Sequence, residues 1–349
     1  MIKRPPASAP QRQPVASIAE VAERAGVSIA TVSRVINGIT NKMSRETAER
    51  VRAAITELGY RPGSVGRALR RRESRLVAVL AANLANPAMA AIAASTEAAL
   101  RRNGSVMVLC DTHDRPDLQD EYLLEMRAQL ARAIVLLGAV ASPQLQEFQR
   151  TGEALLLVNR RWPQQSGETV ETPPPFVGVD NRAAAQDVAQ AFLQRGLSAA
   201  AIIHGAITSS ATSDRVAAFC ETFAAAGHPL DPSKRLAGLP GEEHLEIGYR
   251  AMAELLAQPN RATALFCSSD LIAYGAHRRA SEAGIRIPED LMIVGFDDSP
   301  LNPWLAPWLS SVEVPYTQYG DAVVESLDAI WSGTPAPVRL LPHRLVLRG

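Results

Sequence analysis

Residues 26–37 read GVSIATVSRVIN. Wound into a helix at about 100° per residue, Val32, Val35 and Ile36 share one side, and Ala30, Arg34 and Asn37 lie opposite, flanked by Thr31 and Ser33. The outward side is small and polar and carries one long cation. A guanidinium held there can fork onto the O6 and N7 edge of a guanine, and the hydroxyls beside it can donate to phosphate oxygens. Ile29, at the margin of the first turn, suits a thymine methyl. The competing reading is a bundle helix whose polar face is only solvated, and the charge along the chain separates the two.

The 349 residues hold 36 basic and 36 acidic side chains, unevenly spread. Residues 1–75 contain 15 Lys and Arg against 6 Glu and no Asp, a balance of +9, and the remainder carries −9. One end is built to meet a polyanion. The neighbouring elements agree. Ser17 and Glu20 have capping-box spacing at the start of a run with Ile18, Val21, Ala22 and Ala25 at helical intervals, and Gly26 stops it. Ser28 caps the next helix, which lasts to about Asn37. A third helix begins near Ser44, presents Ala48, Val51, Ile55 and Leu58 on one face and ends at Gly59. Helix, three-residue turn, helix is the spacing of a helix-turn-helix, whose second helix enters the major groove.

Four regions follow: a disordered arm rich in Pro, Gln and Ala at 1–16, the helical module at 17–61, a basic hinge segment at 62–74, and an α/β region at 75–349. In the last, apolar runs without alternation (LVAVLAA, SVMVLCD, AIVLLGAV, ALLLVN, FVGVD, AAAIIHG, ALFCSSD and LMIVGFDD) alternate with helical segments. Strands hidden on both faces and separated by helices mean parallel α/β layers. The expected fold is therefore an N-terminal all-α headpiece on an α/β body with parallel sheets. No apolar run approaches the roughly 20 residues of a membrane span, and the N-terminal stretch lacks the apolar centre of an export signal, so a cytoplasmic protein without a membrane partner is expected. Cys110, Cys220 and Cys267 sit in apolar runs and read as buried thiols, and the six histidines lack metal spacing. No metal and no cofactor are expected.

The runs SIAEVAERAGVSIATVSRVING and SRETAERVRAAITELGYRP closely resemble the DNA-binding module of the lactose and galactose repressor family of bacterial regulators. NLANP, GVDN, SDRVAAF, SSDLIAYGA, RIPEDLMIVGFDD and HRLVLRG continue that family's order and spacing to the end of the chain. The resemblance implies a homodimer that sets its two reading helices in successive major grooves of a near-palindromic, double-stranded operator. Carried over by position, Ile29, Ala30 and Arg34 would read bases, and Ser28, Thr31, Ser33 and Asn37 would touch phosphates. RPGSVGRALRRR matches the family's hinge, with Leu69 as the side chain wedged into the minor groove. Gly63 and Gly66 depart from that pattern, and a mid-helix glycine costs about 1 kcal/mol, so this hinge should be harder to order.

Residues 75–349 resemble the periplasmic sugar-binding fold. That resemblance implies two lobes, one at about 75–175 with 314–330 and the other at about 176–313 with 331–349, holding a small effector between them. Polar residues that end apolar strands then face the cleft. By position, Asn83, Asn159, Arg215, Ser269 and Asp297 would touch the effector. Asp180, Asp270 and Asp298 have the alternative role of helix caps. Ala88 and Met89 stand where the family often stacks an aromatic ring, Asn159 replaces a common Asp, and Ser269 a common Asn. With Arg215 kept, a sugar acid or sugar phosphate is favoured over a neutral sugar.

Three classes of function compete. A transport binding protein needs an export signal and no reading head. An enzyme might use Asp297 and Asp298, but no nucleophile with base, metal cluster or phosphate loop accompanies them. An effector-controlled transcriptional regulator, a repressor by family habit and not an enzyme, accounts for both halves.

Overall fold

A computed structural model of the chain describes residues 16–36, 38–39, 43–60, 74–163, 173–239, 241–336 and 338–348. Asn37 and Leu69, named above as DNA contacts, lie outside the described residues. The chain divides into a unit ending at Ser74 and a larger one from Arg75 to Gly349.

The small unit contains α1 (Ile18–Ala25), α2 (Ile29–Ile36) and α3 (Arg45–Glu57). The Ser17 hydroxyl accepts from the Glu20 amide while the Glu20 carboxylate accepts from the Ser17 amide, so both partners of the capping box are engaged. Gly26 ends α1 with φ 63°, a left-handed conformation that a side chain would strain. Val21, Ala22, Ala25, Val32, Val35, Ala48, Val51 and Ala54 form one buried cluster. An ion pair between Arg24 and Glu57, 2.7 Å apart, ties α1 to α3 at the surface.

The larger unit runs β1 (Leu76–Ala81), α4 (Pro87–Arg102), β2 (Val106–Asp111), α5 (Pro116–Ala128), β3 (Ala133–Leu137), α6 (Pro143–Arg150), β4 (Leu155–Val158) and β5 (Phe176–Val179). It continues with α7 (Asn181–Gln194), β6 (Ala200–His204), α8 (Ser210–Ala225), β7 (Arg235–Ala237), α9 (His244–Leu256), β8 (Ala264–Cys267), α10 (Asp270–Glu282) and β9 (Met292–Asp297). The chain closes with α11 (Asn302–Leu305), β10 (Ser310–Glu313), α12 (Tyr316–Ser332), β11 (Arg339–Leu341) and β12 (Arg344–Val346). One sheet has the order β11-β5-β4-β3-β1-β2, the other β12-β10-β9-β8-β6-β7. Their pairings are parallel apart from β10 with β12. β3 and β6 are buried along their whole length, which parallel strands covered by helices on both faces require. On the second sheet α9 and α10 meet backbone to backbone: a Cβ at Gly248 would lie 2.0 Å from the Ile272 carbonyl oxygen, and one at Gly275 2.0 Å from that of Leu245.

The eight apolar runs all form strands, but the lobes divide at other points than expected. Phe176–Val179 pairs with β4 in the first sheet, Leu157 beside Phe176, so the chain crosses between lobes after Val179 and not before it. Arg339–Leu341 also joins the first sheet, beside β5, and within 331–349 only β12 joins the second. An apolar strand buried on both faces carries no mark of the sheet it enters, and register with a neighbour decides it. Cys267 is buried and Cys110 and Cys220 are half-buried, all as free thiols. Among the described residues no helix is long and apolar enough to cross a membrane.

Candidate DNA-reading face and effector cleft

In α2, Val32 and Val35 are buried while Ile29, Ala30 and Arg34 are exposed together on the other side, Ile29 by 49%. The three residues expected to read bases therefore share one face. Arg34 takes part in no ion pair among the described residues, so its fork is presented to solvent. Ser28 and Thr31 are drawn into the local cap: their hydroxyls are 3.0 Å apart, and the Thr31 amide donates to the Ser28 hydroxyl at 3.3 Å. Ser33 is half-buried beside them. A short helix face bearing one guanidinium, within the N-terminal 75 residues that carry the excess positive charge, is what a major groove accepts.

In the larger unit the strand ends of both sheets turn toward a small pocket of about 20 Å³, whose lining includes Asp297 but not Arg215, Asn83, Asn159 or Ser269. Pro87 and Ala88 line it from the first lobe, Leu271, Tyr274 and Asp297 from the second, and Tyr316 from the crossing into α12. Arg215, on α8, is only 8% exposed. Its Nε donates to Asn181 Oδ1 at 2.7 Å, its Nη1 to the Ser268 carbonyl at 2.6 Å, and its guanidinium carbon lies 3.3 Å from the centre of the Phe296 ring. Burial lowers the Arg215 pKa, opposed first by Asp297. Asp297, at the end of β9, has φ 123°, a backbone region that side chains rarely adopt and that recurs at binding sites. Burial, then the charge of Asp270, raises its pKa, with Arg215 pulling the other way. The Tyr319 hydroxyl is enclosed without a hydrogen-bond partner among the described residues.

The other expected contacts are placed differently. Asn159 directly follows β4 with φ 67°, half-buried, its amide 4.0 Å from Met89 Sδ. Asn83 Oδ1 accepts from the Ala85 amide at 2.9 Å and so closes its own turn. Ser269 is 4% exposed and caps α10, its hydroxyl accepting from the Ile272 amide at 3.3 Å and lying 3.1 Å from His244 Nδ1. Arg215 and Asp297 belong to the same lobe and do not face each other across the cleft. Asp180 caps α7, and Asp298 is held by Arg348 at 2.7 Å and 3.0 Å. Asp270 accepts from Ser311, from the Ser299 amide and from Asn302, which fixes the loop after β9.

Sequence reasoning passed over Arg160, Asp114 and His244. Arg160 forks onto Asp114, its Nη2 3.0 Å from Oδ2. His244 has a lowered pKa, chiefly from burial, with Arg160 and Arg215 adding to the effect and Glu243 and Asp114 opposing it. The signal was present in LLLVNRR, where polar residues continue past Asn159 at the end of a buried strand.

A helical reading head joined to a two-lobed body with a polar cleft defines a DNA-binding regulator that responds to a small molecule. The description "Bacterial regulatory proteins, lacI family" matches residues 17–63, and "Periplasmic binding protein-like domain" matches residues 189–349. The chain is 30% identical over 314 residues to the HTH-type transcriptional repressor PurR of Pectobacterium carotovorum subsp. carotovorum (strain PC1), covering 90% of this chain and 89% of the relative. It is 29% identical to PurR of Serratia proteamaculans (strain 568), covering 91% of each. Among solved structures, a complex of the transcriptional regulator CelR with cellobiose matches with TM-score 0.70 and 29% identity, over 95% of this chain and 99% of that one. The lac repressor dimer bound to operator and the anti-inducer ONPF matches with TM-score 0.78 at 23% identity, over 96% and 98%, a likeness of fold. The chain belongs to the lacI family of bacterial regulatory proteins.

Proposed function

We propose that this protein is a transcriptional repressor that binds double-stranded operator DNA as a homodimer and whose operator affinity is set by a sugar acid or sugar phosphate held between the lobes. In this reading Ile29, Ala30 and Arg34 read bases, Ser28, Thr31, Ser33 and Asn37 contact phosphates, and Leu69 enters the minor groove. Arg215, Asp297 and Asn159 face the effector, and Asn83 and Ser269 hold the loops around it. The observation that carries the effector class is the polarity of the cleft. Arg215 is a buried guanidinium held by Asn181 and the Ser268 carbonyl, and Asp297 is the first charge acting on it, with Asp270 beside Asp297, whereas Arg160 is already paired with Asp114. A ligand with an anionic group on the Arg215 guanidinium and a hydroxyl donating to Asp297 satisfies both. Repression is supported by the names of the PurR relatives. Linkage requires that an effector preferring one lobe arrangement change operator affinity by the same factor as DNA changes effector affinity.

The test is calorimetric titration of the full chain with galacturonate, glucose 6-phosphate and galactose, alone and with a duplex selected from a random pool. Tighter binding of either anion than of galactose, changed by the duplex, supports the proposal. A preference for the neutral sugar, as the cellobiose complex of CelR would suggest, refutes the anionic part.

A further inference from the structure

Arg160 and Arg161 follow the same strand of the first lobe but turn to different partners. Arg160 stays within its lobe, on Asp114. Arg161 reaches the second: its amide donates to Ser210 Oγ at 2.8 Å, and its Nη2 lies 2.6 Å from Asp214 Oδ2. Ser210 opens α8, and Asp214 directly precedes Arg215 on that helix. The Asp214 side chain is 14% exposed, so its charge is poorly screened by solvent, whereas Arg161 is 54% exposed and approaches from the rim.

The position of Asp214 matters for any anion. It is among the groups whose charge acts on Arg215. Without a counter-ion, a carboxylate beside Arg215 offsets part of the attraction the guanidinium exerts on an anionic ligand. When the lobes meet, Arg161 neutralises that carboxylate, and the field of Arg215 is left for the ligand. We propose that Arg161 is a positioning residue for the effector: by clasping Ser210 and Asp214 it holds α8 against the first lobe, and by pairing with the carboxylate beside Arg215 it leaves the field of Arg215 to an anionic group. The ligand half of this statement rests on the reading that the effector sits at Arg215; the clasp itself does not.

Two measurements on the full chain separate these halves. Distances between spin labels placed on exposed positions of α5 and α9 report lobe separation without any ligand. Arg161→Met and Asp214→Asn are each expected to widen or broaden that distribution, and Arg161→Lys to restore it. Titration with galacturonate and with galactose then reads the charge effect. Arg161→Met is expected to weaken galacturonate binding about 10-fold and galactose binding by less than about 2-fold, and adding Asp214→Asn to it should recover most of the galacturonate loss. A purely structural role would weaken both sugars alike without recovery and would overturn the charge coupling. An unchanged lobe distance in Arg161→Met would overturn the clasp. If Arg215→Ala binds galacturonate like the unaltered protein, or if that protein does not bind it, the effector reading and the charge coupling fail together, and the distance measurement still decides the clasp.

Discussion

Arg215 sits over Phe296, its guanidinium carbon 3.3 Å from the ring centre, with Asn181 and the Ser268 carbonyl accepting from two of its nitrogens. α7, β9 and the residue that follows β8 thus fix one fork before any ligand arrives. Such preorganisation lowers the ordering cost of binding. A lysine keeps the charge but cannot stack or serve both oxygens as a planar fork. Arg215→Lys is therefore expected to weaken sugar-acid binding by about 10-fold or more, and to destabilise the larger unit by roughly 1–3 kcal/mol because buried acceptors lose donors. Calorimetry and urea unfolding read the two effects. Binding equal to that of the unaltered protein would mean that charge alone matters at this position.

A second expectation concerns Asp270, which is 2% exposed and accepts from Ser311 at 2.6 Å, the Ser299 amide at 2.9 Å and Asn302 at 2.8 Å. Removing one of those donors leaves part of a buried carboxylate unsatisfied. Ser311→Ala should cost about 1–3 kcal/mol in the unfolding of the larger unit, with little change in DNA binding by the headpiece. A loss under about 0.5 kcal/mol, the range of an ordinary surface substitution, would show that the network does not stabilise this loop.

At the other end of the chain, Arg34→Ala removes the only long cation on the exposed face of α2 and touches none of the buried cluster. The expected loss is about 1–3 kcal/mol at one base pair per half-site, with affinity for scrambled DNA nearly kept. Binding to a selected and a scrambled duplex at one salt concentration gives the ratio. If the ratio stays at its original value, Arg34 does not read a base.

The parts that were legible in the sequence are those in which one residue type has one cause. Ser17 with Glu20 specifies a helix start, Gly26 its end, and unbroken runs such as AIVLLGAV specify buried strands, all independent of distant contacts. β10 was not legible, because SSVE reads as polar although Ser310 and Ser311 are fully buried with their hydroxyls on Arg348 and Asp270. Its partners are 38 and 41 residues away, beyond any local pattern. The same holds in the cleft. Arg215 stood out by residue type and position, but its proximity to Asp297 within one lobe, the cap formed by Ser269 and the reach of Arg161 to Asp214 depend on how two sheets bring distant loops together.

The last prediction uses the aspartates as a pH probe. Burial, with Asp270 adding repulsion, pushes Asp297 up to about 7, and Asp270 is likewise raised by burial against its hydrogen bonds. In the unfolded chain both carboxyls titrate near 3.9, as free aspartates do. Between those values the folded state binds more protons than the unfolded one, so this contribution to stability is fully present below about pH 4 and is lost as pH rises through 7. Unfolding of the larger unit should therefore become easier from pH 5 to pH 8. Asp297→Asn, which never ionises, should flatten that slope and be relatively more stable at pH 8 than at pH 5. Effector binding should run the opposite way, because the ionised carboxylate is the better acceptor for a sugar hydroxyl, and affinity should rise across the same interval in the unaltered protein but not in Asp297→Asn. Urea titrations and calorimetry at pH 5, 6, 7 and 8 provide both curves. Parallel stability slopes in the two proteins would show that Asp297 does not carry the extra proton, and a pH-independent affinity would show that no effector hydroxyl rests on it.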